Sequence, residues 1–391
     1  LTGVEDVKSY LEDYSGLKDF RLQSLTGGTA NHVYRLTGHG KGGGGRTQIL
    51  KHAARQLASD PTFNLDPVRM DFEAKILMSK LKDETECHCT AAEAFSIANM
   101  KTHVHTVPFE FYERDVKLLC VQDAGTRNLK DAYADLSSDE VREIGTEIGN
   151  WLAKLHGRTP RSYVTEPEGH NNKIGVNIAS YTYRNLSAAL KEAGHDEELG
   201  DKVNNSFGRL IEDDRESVCH GDFWPGNVML QSNAPGGPYL LTVIDWELVR
   251  VGNSATDVGQ FAAEAFLLDW FHGDKGLHAA FIRAYFQSSA VEYGSKDTLY
   301  PWMTRVAIHF AVHIAVWPSR SMHWANCEDT KALVDLAVDV LEDAISSTPN
   351  AVVWRVFEGL PGLEEIAGEM MVKRGAPWAR SDPDSDKPPQ L

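Results

Sequence analysis

The stretch Cys219-His220-Gly221-Asp222-Phe223-Trp224-Pro225-Gly226-Asn227-Val228 is followed further along the chain by Ile244-Asp245-Trp246-Glu247. Asp222 and Asn227 are five positions apart, so one carboxylate can orient a substrate hydroxyl while a nearby amide oxygen binds Mg²⁺. Asp245 can supply a second metal ligand. Three oxygen donors in this order predict a site for phosphoryl transfer.

The residues between the two motifs predict a β-hairpin. Val228-Met229-Leu230 and the run from Tyr239 to Ile244 are apolar, and Asn233 to Pro238 between them consists of turn-forming residues. Such a hairpin returns Asp245 to the metal side of Asn227. Each polar residue alone would also suit a turn or a helix cap, so the prediction depends on the combination.

Together, H-G-D-x-x-x-x-N and I-D-W-E resemble the aminoglycoside phosphotransferase and choline kinase superfamily. The resemblance implies an α+β, bilobal, protein-kinase-like fold, with a small β-rich N-lobe over residues 1–122 and a larger, mainly helical C-lobe over residues 123–380. It also implies ATP and Mg²⁺ as cofactors, Asp222 as the catalytic residue, and Asn227 and Asp245 as metal ligands. Residues 381–391 are acidic and proline-rich, which predicts a disordered tail.

Further segments narrow the resemblance to one branch. Gly145 to Gly149 with Leu152 to His156, and Asp245 to Leu248 with His313 to Trp317, are similar to fungal methylthioribose-kinase-like small-molecule kinases, including the psilocybin-pathway hydroxytryptamine kinase branch. The run Trp224-Pro225-Gly226-Asn227 departs from the His-Thr-Gly-Ser of methylthioribose kinases. This departure argues against methylthioribose itself as the acceptor.

A strand, glycine turn, strand pattern runs from Ser24 to Leu36 and contains Gly27, Gly28 and Asn31. Backbone amides of such a turn can contact phosphates, and we expect these three residues to bind nucleotide. An ordinary hairpin turn would use the same glycines. The later glycine run from Gly38 to Gly45 has no helix behind it and is expected to be a hairpin tip.

Lys51 ends an apolar strand after the glycine turn, where a kinase needs the cation that pairs with phosphates. The alternative is a solvated lysine on an edge strand. A helical pattern from Pro67 to Leu81 carries Glu73, which is expected to pair with Lys51. Surface pairing of Glu73 with Lys75 or Lys80 is the competing interpretation.

The stretch from Lys117 to Gly125 resembles the last N-lobe strand running into a hinge. The resemblance implies that backbone groups near Gln122 and Ala124 contact adenine. These two residues complete the predicted nucleotide site, together with the glycine turn, Lys51 and Glu73.

The predicted C-lobe begins with Ser137 and Glu140, which match a capping box before a helix with apolar residues every three or four positions. His156 at the end of this helix is expected to be structural. Asp257 resembles an Asp of the superfamily, but it can also cap the helix that follows, so a structural role is favoured.

Candidate acceptor-binding residues occur on two later segments. Glu264 and Asp269 lie on the helix after Asp257, and His313 and Trp317 belong to a stripe with His309 at helical spacing. This stripe could hold an aromatic or cationic acceptor. A packed helix with partnered histidines is the alternative, because burial alone would produce the same pattern.

Composition limits the possible partners. The 391 residues suffice for two lobes, and the net charge of −17 argues against nucleic acid. No apolar run is long enough for a membrane span, and five cysteines without a regular framework favour the cytoplasm. A zinc site at Cys87-His88-Cys89 is disfavoured, because the two thiols are too close in sequence. Oligomeric state is left open.

The sequence therefore predicts an ATP-dependent small-molecule kinase that transfers the γ-phosphate to a hydroxyl of a metabolite or drug-like acceptor. The acidic net charge favours a hydroxylated amine. A nucleotide-binding pseudokinase that acts through protein partners is the alternative, but no catalytic or metal residue is missing. The stretch from Val352 to Met371 is either a last C-lobe helix or a partner contact.

Overall fold

The computed structural model describes residues 1–14, 16–25, 30–38, 47–60, 62–79, 103–165, 170–232, 237–289, 296–320, 327–345 and 356–357. The strands are β1 Phe20–Leu25, β2 His32–Gly38, β3 Thr47–His52, β4 Val104–Thr106, β5 Phe109–Glu113, β6 Leu118–Gln122, β7 Ser217–Cys219, β8 Val228–Ser232, β9 Tyr239–Val243 and β10 Arg250–Gly252. The α-helices are α1 Val4–Tyr14, α2 Arg69–Met78, α3 Leu129–Ala132, α4 Ser138–Arg158, α5 Lys173–Arg184, α6 Leu186–Glu192, α7 Glu197–Val203, α8 Leu210–Asp213, α9 Ala255–His272, α10 Leu277–Ser289, α11 Lys296–Arg320 and α12 Cys327–Ile345.

The N-terminal part of the chain forms an antiparallel sheet in the order β1-β2-β3-β6-β5. The predicted strands on either side of the glycine turn and the predicted lysine strand are confirmed. In register, Lys51 faces Val33 on one neighbouring strand and Leu119 on the other. Since β3 has partners on both sides, the edge-strand interpretation of Lys51 is wrong.

Alternation along the strands divides the apolar residues between the two faces of this sheet. Leu118 and Cys120 of β6 pack with Leu50 and the α1 residue Val7 in a small buried cluster. Leu119 instead belongs to the main core, together with apolar residues of α2 and of the later helices. The sheet is therefore covered by α1 on one face and joined to the helical part of the chain on the other.

The helical part is organised around α4. Its predicted capping box is confirmed, because Ser137 Oγ accepts from the Glu140 backbone N–H and Glu140 Oε2 accepts from the Ser137 backbone N–H. Gly145 and Gly149 let α4 approach α10 closely. A Cβ atom at Gly149 would lie 2.4 Å from the carbonyl oxygen of Phe281.

We therefore expect Gly149→Ala to lower the free energy of unfolding by about 1–3 kcal/mol, as overpacked core sites do. Gly38→Ala is the matched control, because a Cβ atom there would meet nothing within 4 Å. Urea unfolding followed by circular dichroism measures both changes. Equal unfolding midpoints for the two variants would show that α4 and α10 are not held at this distance.

The two predicted strands on either side of Asn233 to Pro238 are also confirmed. Strands β8 and β9 pair antiparallel, with Val228 opposite Val243. The three-residue strand β4 adds in parallel to β9, with Val104 opposite Leu241. Strand β4 was not predictable from the sequence, because three residues are too few to show alternation and their partner strand is distant in the chain.

A sheet-rich N-terminal part followed by a mainly helical part confirms the α+β class. The division at residues 122 and 123, and the tail at 381–391, stay predictions. The glycine run from residue 39 onwards, the Cys87-His88-Cys89 segment, and the stretch from Val352 to Met371 apart from residues 356–357 lie outside the described residues. Among the helices described, none is long and apolar enough to cross a membrane.

Candidate active site

The loop that carries Asp222 is positioned by a short strand pair. Strand β7 pairs antiparallel with β10, and a 3₁₀ turn at Pro225–Asn227 leads directly into β8. Asn227 Nδ2 donates to the backbone oxygen of Asp222 at 2.9 Å and to its Oδ2 at 3.2 Å. The amide nitrogen is thus occupied within the loop, which leaves the amide oxygen of Asn227 as the atom suited to a metal.

The second oxygen of Asp222 has a partner that the sequence analysis missed. Gln260 Nε2, on α9, donates to Asp222 Oδ1 at 2.7 Å. Burial, followed by the negative charge of Asp245, raises the pKa of Asp222 to about 6. Gln260 sits one turn into a helix of mixed polarity, and no feature of the sequence distinguishes it from a surface glutamine.

The predicted pairing of Lys51 with Glu73 is confirmed. Lys51 Nζ donates to the two carboxylate oxygens of Glu73 at 2.9 and 2.8 Å. It also donates to Asp245 Oδ1 at 2.5 Å. Burial alone would lower the pKa of Lys51, but the carboxylates of Asp245 and Glu73 raise it above its usual value. Three elements far apart in sequence therefore meet at one ammonium group.

Asp245 has the conformation and exposure of a ligand-binding residue. It adopts left-handed backbone angles, with φ at 69°, a conformation that costs energy in a residue other than glycine and is common at functional sites. Although burial would raise its pKa, the ammonium of Lys51 lowers it, so the carboxylate is charged. Its side chain is 34% exposed, against 1% for Glu73.

These groups fit a magnesium ion. One oxygen each from Glu73, Asp245 and Glu247 lies within 4.8 Å of the others. Mg²⁺ prefers one or two carboxylates together with phosphate and water oxygens. Both oxygens of Glu73 accept from Lys51, and Glu247 accepts from other donors, whereas only Oδ1 of Asp245 accepts from Lys51. The partly exposed carboxylate of Asp245 is therefore best placed to hold the ion, with Asn227 as the predicted second ligand.

Glu247 is held by a buried arginine that the sequence analysis did not single out. Arg69, which is 0% exposed, donates from Nε to Glu247 Oε2 at 3.0 Å and from Nη2 to Asn31 Oδ1 at 3.0 Å. Asn31 Nδ2 in turn donates to Glu247 Oε2 at 2.7 Å. The guanidinium also donates to four backbone carbonyls, those of Ala30, Ala54, Leu65 and Asp66.

Arg69 consequently ties the base of the glycine turn to the segment that follows Asp245. Asn31 is buried and engaged in this network, and its contact with nucleotide stays a prediction. A visible signal was present in the sequence, because Arg69 precedes Glu73 by one helical turn.

We expect Arg69→Met to destabilise the protein by about 3 kcal/mol, because it leaves the buried carboxylate of Glu247 unpaired. The double variant with Glu247→Met should lose less than the sum of the single changes, since no buried charge is then left alone. A double-mutant cycle in urea measures this coupling. If the losses of unfolding free energy were strictly additive, Arg69 and Glu247 would not stabilise each other, and this interpretation would be wrong.

Asp257 has a structural role, but not the expected one of capping its own helix, because its carboxylate binds the backbone of the catalytic loop. Its carboxylate accepts from the backbone N–H groups of His220 at 2.6 Å and Gly221 at 3.0 Å. His156 Nε2 lies 3.1 Å from Asp257 Oδ2, and its other ring nitrogen bonds Tyr285. Burial alone would raise the pKa of Asp257, but the hydrogen bond and charge of His156 lower it to about 2.

Gly221 is required in this loop. Its φ of 90° and a Cβ position 2.1 Å from the carbonyl oxygen of Leu248 both exclude a side chain. The glycine of the H-G-D motif therefore lets the loop pass close to the segment after Asp245, which explains why it stands between His220 and Asp222.

The predicted hinge lies at the end of β6. Gln122 donates its backbone N–H to the carbonyl oxygen of Pro108. Arg35, on β2, donates from Nε to Asp123 Oδ2 at 2.6 Å. Ala124 is at the margin of burial, at 9% exposure. Gly27 and Gly28 lie outside the described residues, so their contact with phosphate, like that of Gln122 and Ala124 with adenine, stays a prediction.

Three of the four candidate acceptor residues lie together. Glu264 Oε1 accepts from His313 Nε2 at 2.7 Å, and the His313 and Trp317 ring centroids are 6.3 Å apart. Asp269 lies five residues further along α9 and caps α10, accepting from the backbone N–H groups of residues 276, 277 and 278. Tyr133 also donates to Asp269. The structure therefore does not bring Asp269 together with the other three.

Comparison with known proteins agrees with this geometry. Residues 121–300 match the model of the APH family, described as the phosphotransferase enzyme family. The chain is 26% identical over 347 residues to the 4-hydroxytryptamine kinase of Psilocybe cubensis, covering 86% of this chain and 90% of that protein. It is 23% identical over 343 residues to the 4-hydroxytryptamine kinase of Psilocybe cyanescens, covering 86% and 91%.

Solved structures of kinases show only distant similarity. Ethanolamine kinase of Plasmodium vivax superposes with a TM-score of 0.49 at 12% identity, covering 86% of this chain and 87% of the other. A choline/ethanolamine kinase family protein of Mesorhizobium loti gives 0.47 at 14%, covering 91% and 99%. Asp222, Asn227 and Asp245 all lie within residues 121–300, the part of the chain that matches the phosphotransferase enzyme family.

Proposed function

We propose that the protein is an ATP- and Mg²⁺-dependent kinase that phosphorylates a hydroxyl group of a small hydroxylated amine. The observation that carries the proposal is the position of Asp222, whose two carboxylate oxygens are held by Gln260 and Asn227. The relatives from Psilocybe are named for kinases of a hydroxylated tryptamine, which supports this acceptor class. A cytoplasmic location stays a prediction from the cysteine content.

In this mechanism Asp222 orients the acceptor hydroxyl and accepts its proton. The hydroxyl oxygen forms a bond to the γ-phosphorus while the bond from that phosphorus to the β,γ-bridging oxygen breaks, and ADP leaves. Lys51 would hold the α- and β-phosphates, with Glu73 fixing the ammonium. Asn227 and Asp245 would hold Mg²⁺, which neutralises charge on the phosphates when it is bound.

A transfer screen tests the function. Purified protein with ATP and Mg²⁺ is incubated with hydroxylated amines, choline, ethanolamine, aminoglycosides and sugars, and ADP release is coupled to NADH oxidation. Acceptor-dependent ADP release with a hydroxylated amine is the expected result. The pseudokinase alternative predicts thermal stabilisation by ATP without transfer to any acceptor.

The pH dependence of turnover follows from the pKa of Asp222. Only the charged carboxylate can accept the hydroxyl proton, so kcat/KM for the acceptor, which reports the enzyme before the acceptor binds, should fall as the pH drops through about 6, roughly tenfold per pH unit below it. A pH–rate profile at saturating ATP measures this fall. A profile that stays flat from about pH 5 to about pH 8 would contradict proton acceptance by this carboxylate.

A further inference from the structure

Glu264, on α9, has a buried carboxylate, and among the described residues only one of its two oxygens has a hydrogen-bond partner. The residue is 1% exposed, and its Oε1 accepts from His313 Nε2 at 2.7 Å. Its Oε2 has no hydrogen-bond partner within the described part of the chain. Leaving a buried acceptor unpaired is costly, and more so when it is charged. Such an orphan oxygen therefore calls for a donor that the described residues do not supply.

Glu264 lies on the same face of α9 as the glutamine that holds Asp222. Gln260, one helical turn earlier on the same face of α9, holds Asp222 at 2.7 Å. Side chains four residues apart on a helix are neighbours, with Cβ atoms about 5–6 Å apart. An acceptor whose hydroxyl meets Asp222 and which extends along α9 would reach Glu264 with its next functional group.

Aromatic rings border the same region. Trp317 lies one turn beyond His313 on α11, and its ring centroid is 6.2 Å from that of Tyr181 on α5. Both rings are partly exposed, whereas Glu264 and His313 are buried. Aromatic faces attract cations and stack on other rings. A carboxylate connected through His313 to two partly exposed rings therefore suits an aromatic amine.

We propose that Glu264 binds the ammonium group of the acceptor, in a subsite completed by His313, Trp317 and Tyr181. The assignment rests on the proposed function and adds the group that selects amines over neutral alcohols. An ammonium supplies the donors that Oε2 lacks. Asp269 is not part of the subsite, because its carboxylate is engaged by the N-terminus of α10.

Binding of an amine that cannot be phosphorylated tests the subsite independently of turnover. Tryptamine, which has the ammonium but no hydroxyl, and the neutral 3-propylindole of similar size are titrated into the full chain by calorimetry. Wild-type protein should bind tryptamine more tightly. In Glu264→Gln the affinity for tryptamine should fall about 30-fold or more, and the preference should vanish.

Glu143→Gln on the exposed face of α4 removes the same charge elsewhere and should leave both affinities unchanged. Trp317→Leu, at a partly exposed position, should weaken both ligands and provides the test if Glu264→Gln does not fold. Unchanged tryptamine binding in either variant, or equal affinity of the wild type for the two ligands, would overturn the subsite. Hydroxyl phosphorylation in the transfer screen would still stand in that case.

Discussion

Replacing Asp222 with Asn is expected to lower kcat by about 10³-fold while leaving the affinity for ATP largely unchanged. The amide keeps the shape of the side chain, and Gln260 and Asn227 can still pack against it. What is lost is the charged oxygen that accepts the hydroxyl proton. Steady-state ADP release gives kcat, and calorimetric titration with ATP and Mg²⁺ gives the affinity.

The matched control is Asp213→Asn, which makes the same change at an exposed position on α8. It should behave as the wild type in both measurements. If Asp222→Asn retained wild-type turnover, Asp222 would have no part in the mechanism. If it lost ATP affinity to the same extent as turnover, its role would lie in nucleotide binding instead.

Replacing Lys51 with Met is expected to reduce kcat/KM for ATP by about 10²- to 10³-fold, because a positioned charge that stabilises the transferring phosphate is removed. Glu73→Gln should cause much of the same loss in kcat/KM, because Glu73 Oε2 holds Lys51 Nζ at 2.8 Å. The double variant should therefore be little worse than Lys51→Met alone.

Lys8→Met, on the exposed face of α1, is the control for loss of a lysine charge and should change kcat/KM little. Thermal melting separates folding from catalysis, because a variant that melts like the wild type has lost function and not structure. Independent, multiplicative effects of Lys51→Met and Glu73→Gln would contradict the proposed cooperation between them.

Contacts carried by local motifs were predictable from the sequence. Lys51 and Glu73 each lie on an element with a clear pattern, a strand after a glycine turn and the helix that follows it. Their pairing was expected and is observed. The hairpin between Asn227 and Asp245 was equally predictable, because turn residues separate two apolar runs.

Contacts that depend on how distant elements pack were not predictable. Gln260 reaches Asp222 only because α9 passes beside the catalytic loop, and Arg69 reaches Glu247 across 178 positions. The periodicity of the sequence shows which face of a helix is apolar. It does not show which polar side chain of a distant element will contact that helix. Asp269 was expected to bind the acceptor and instead caps α10. In a sequence, a carboxylate that caps the next helix cannot be distinguished from one that lines a cleft.

The central claim is tested most directly by the chemical identity of the product. After incubation with a hydroxylated tryptamine, ATP and Mg²⁺, ³¹P NMR should show a new phosphomonoester resonance and the resonances of ADP, and the ester should be absent with Asp222→Asn. ATP that remains unchanged with every hydroxylated amine, under conditions where the wild-type protein binds ATP, would contradict the account.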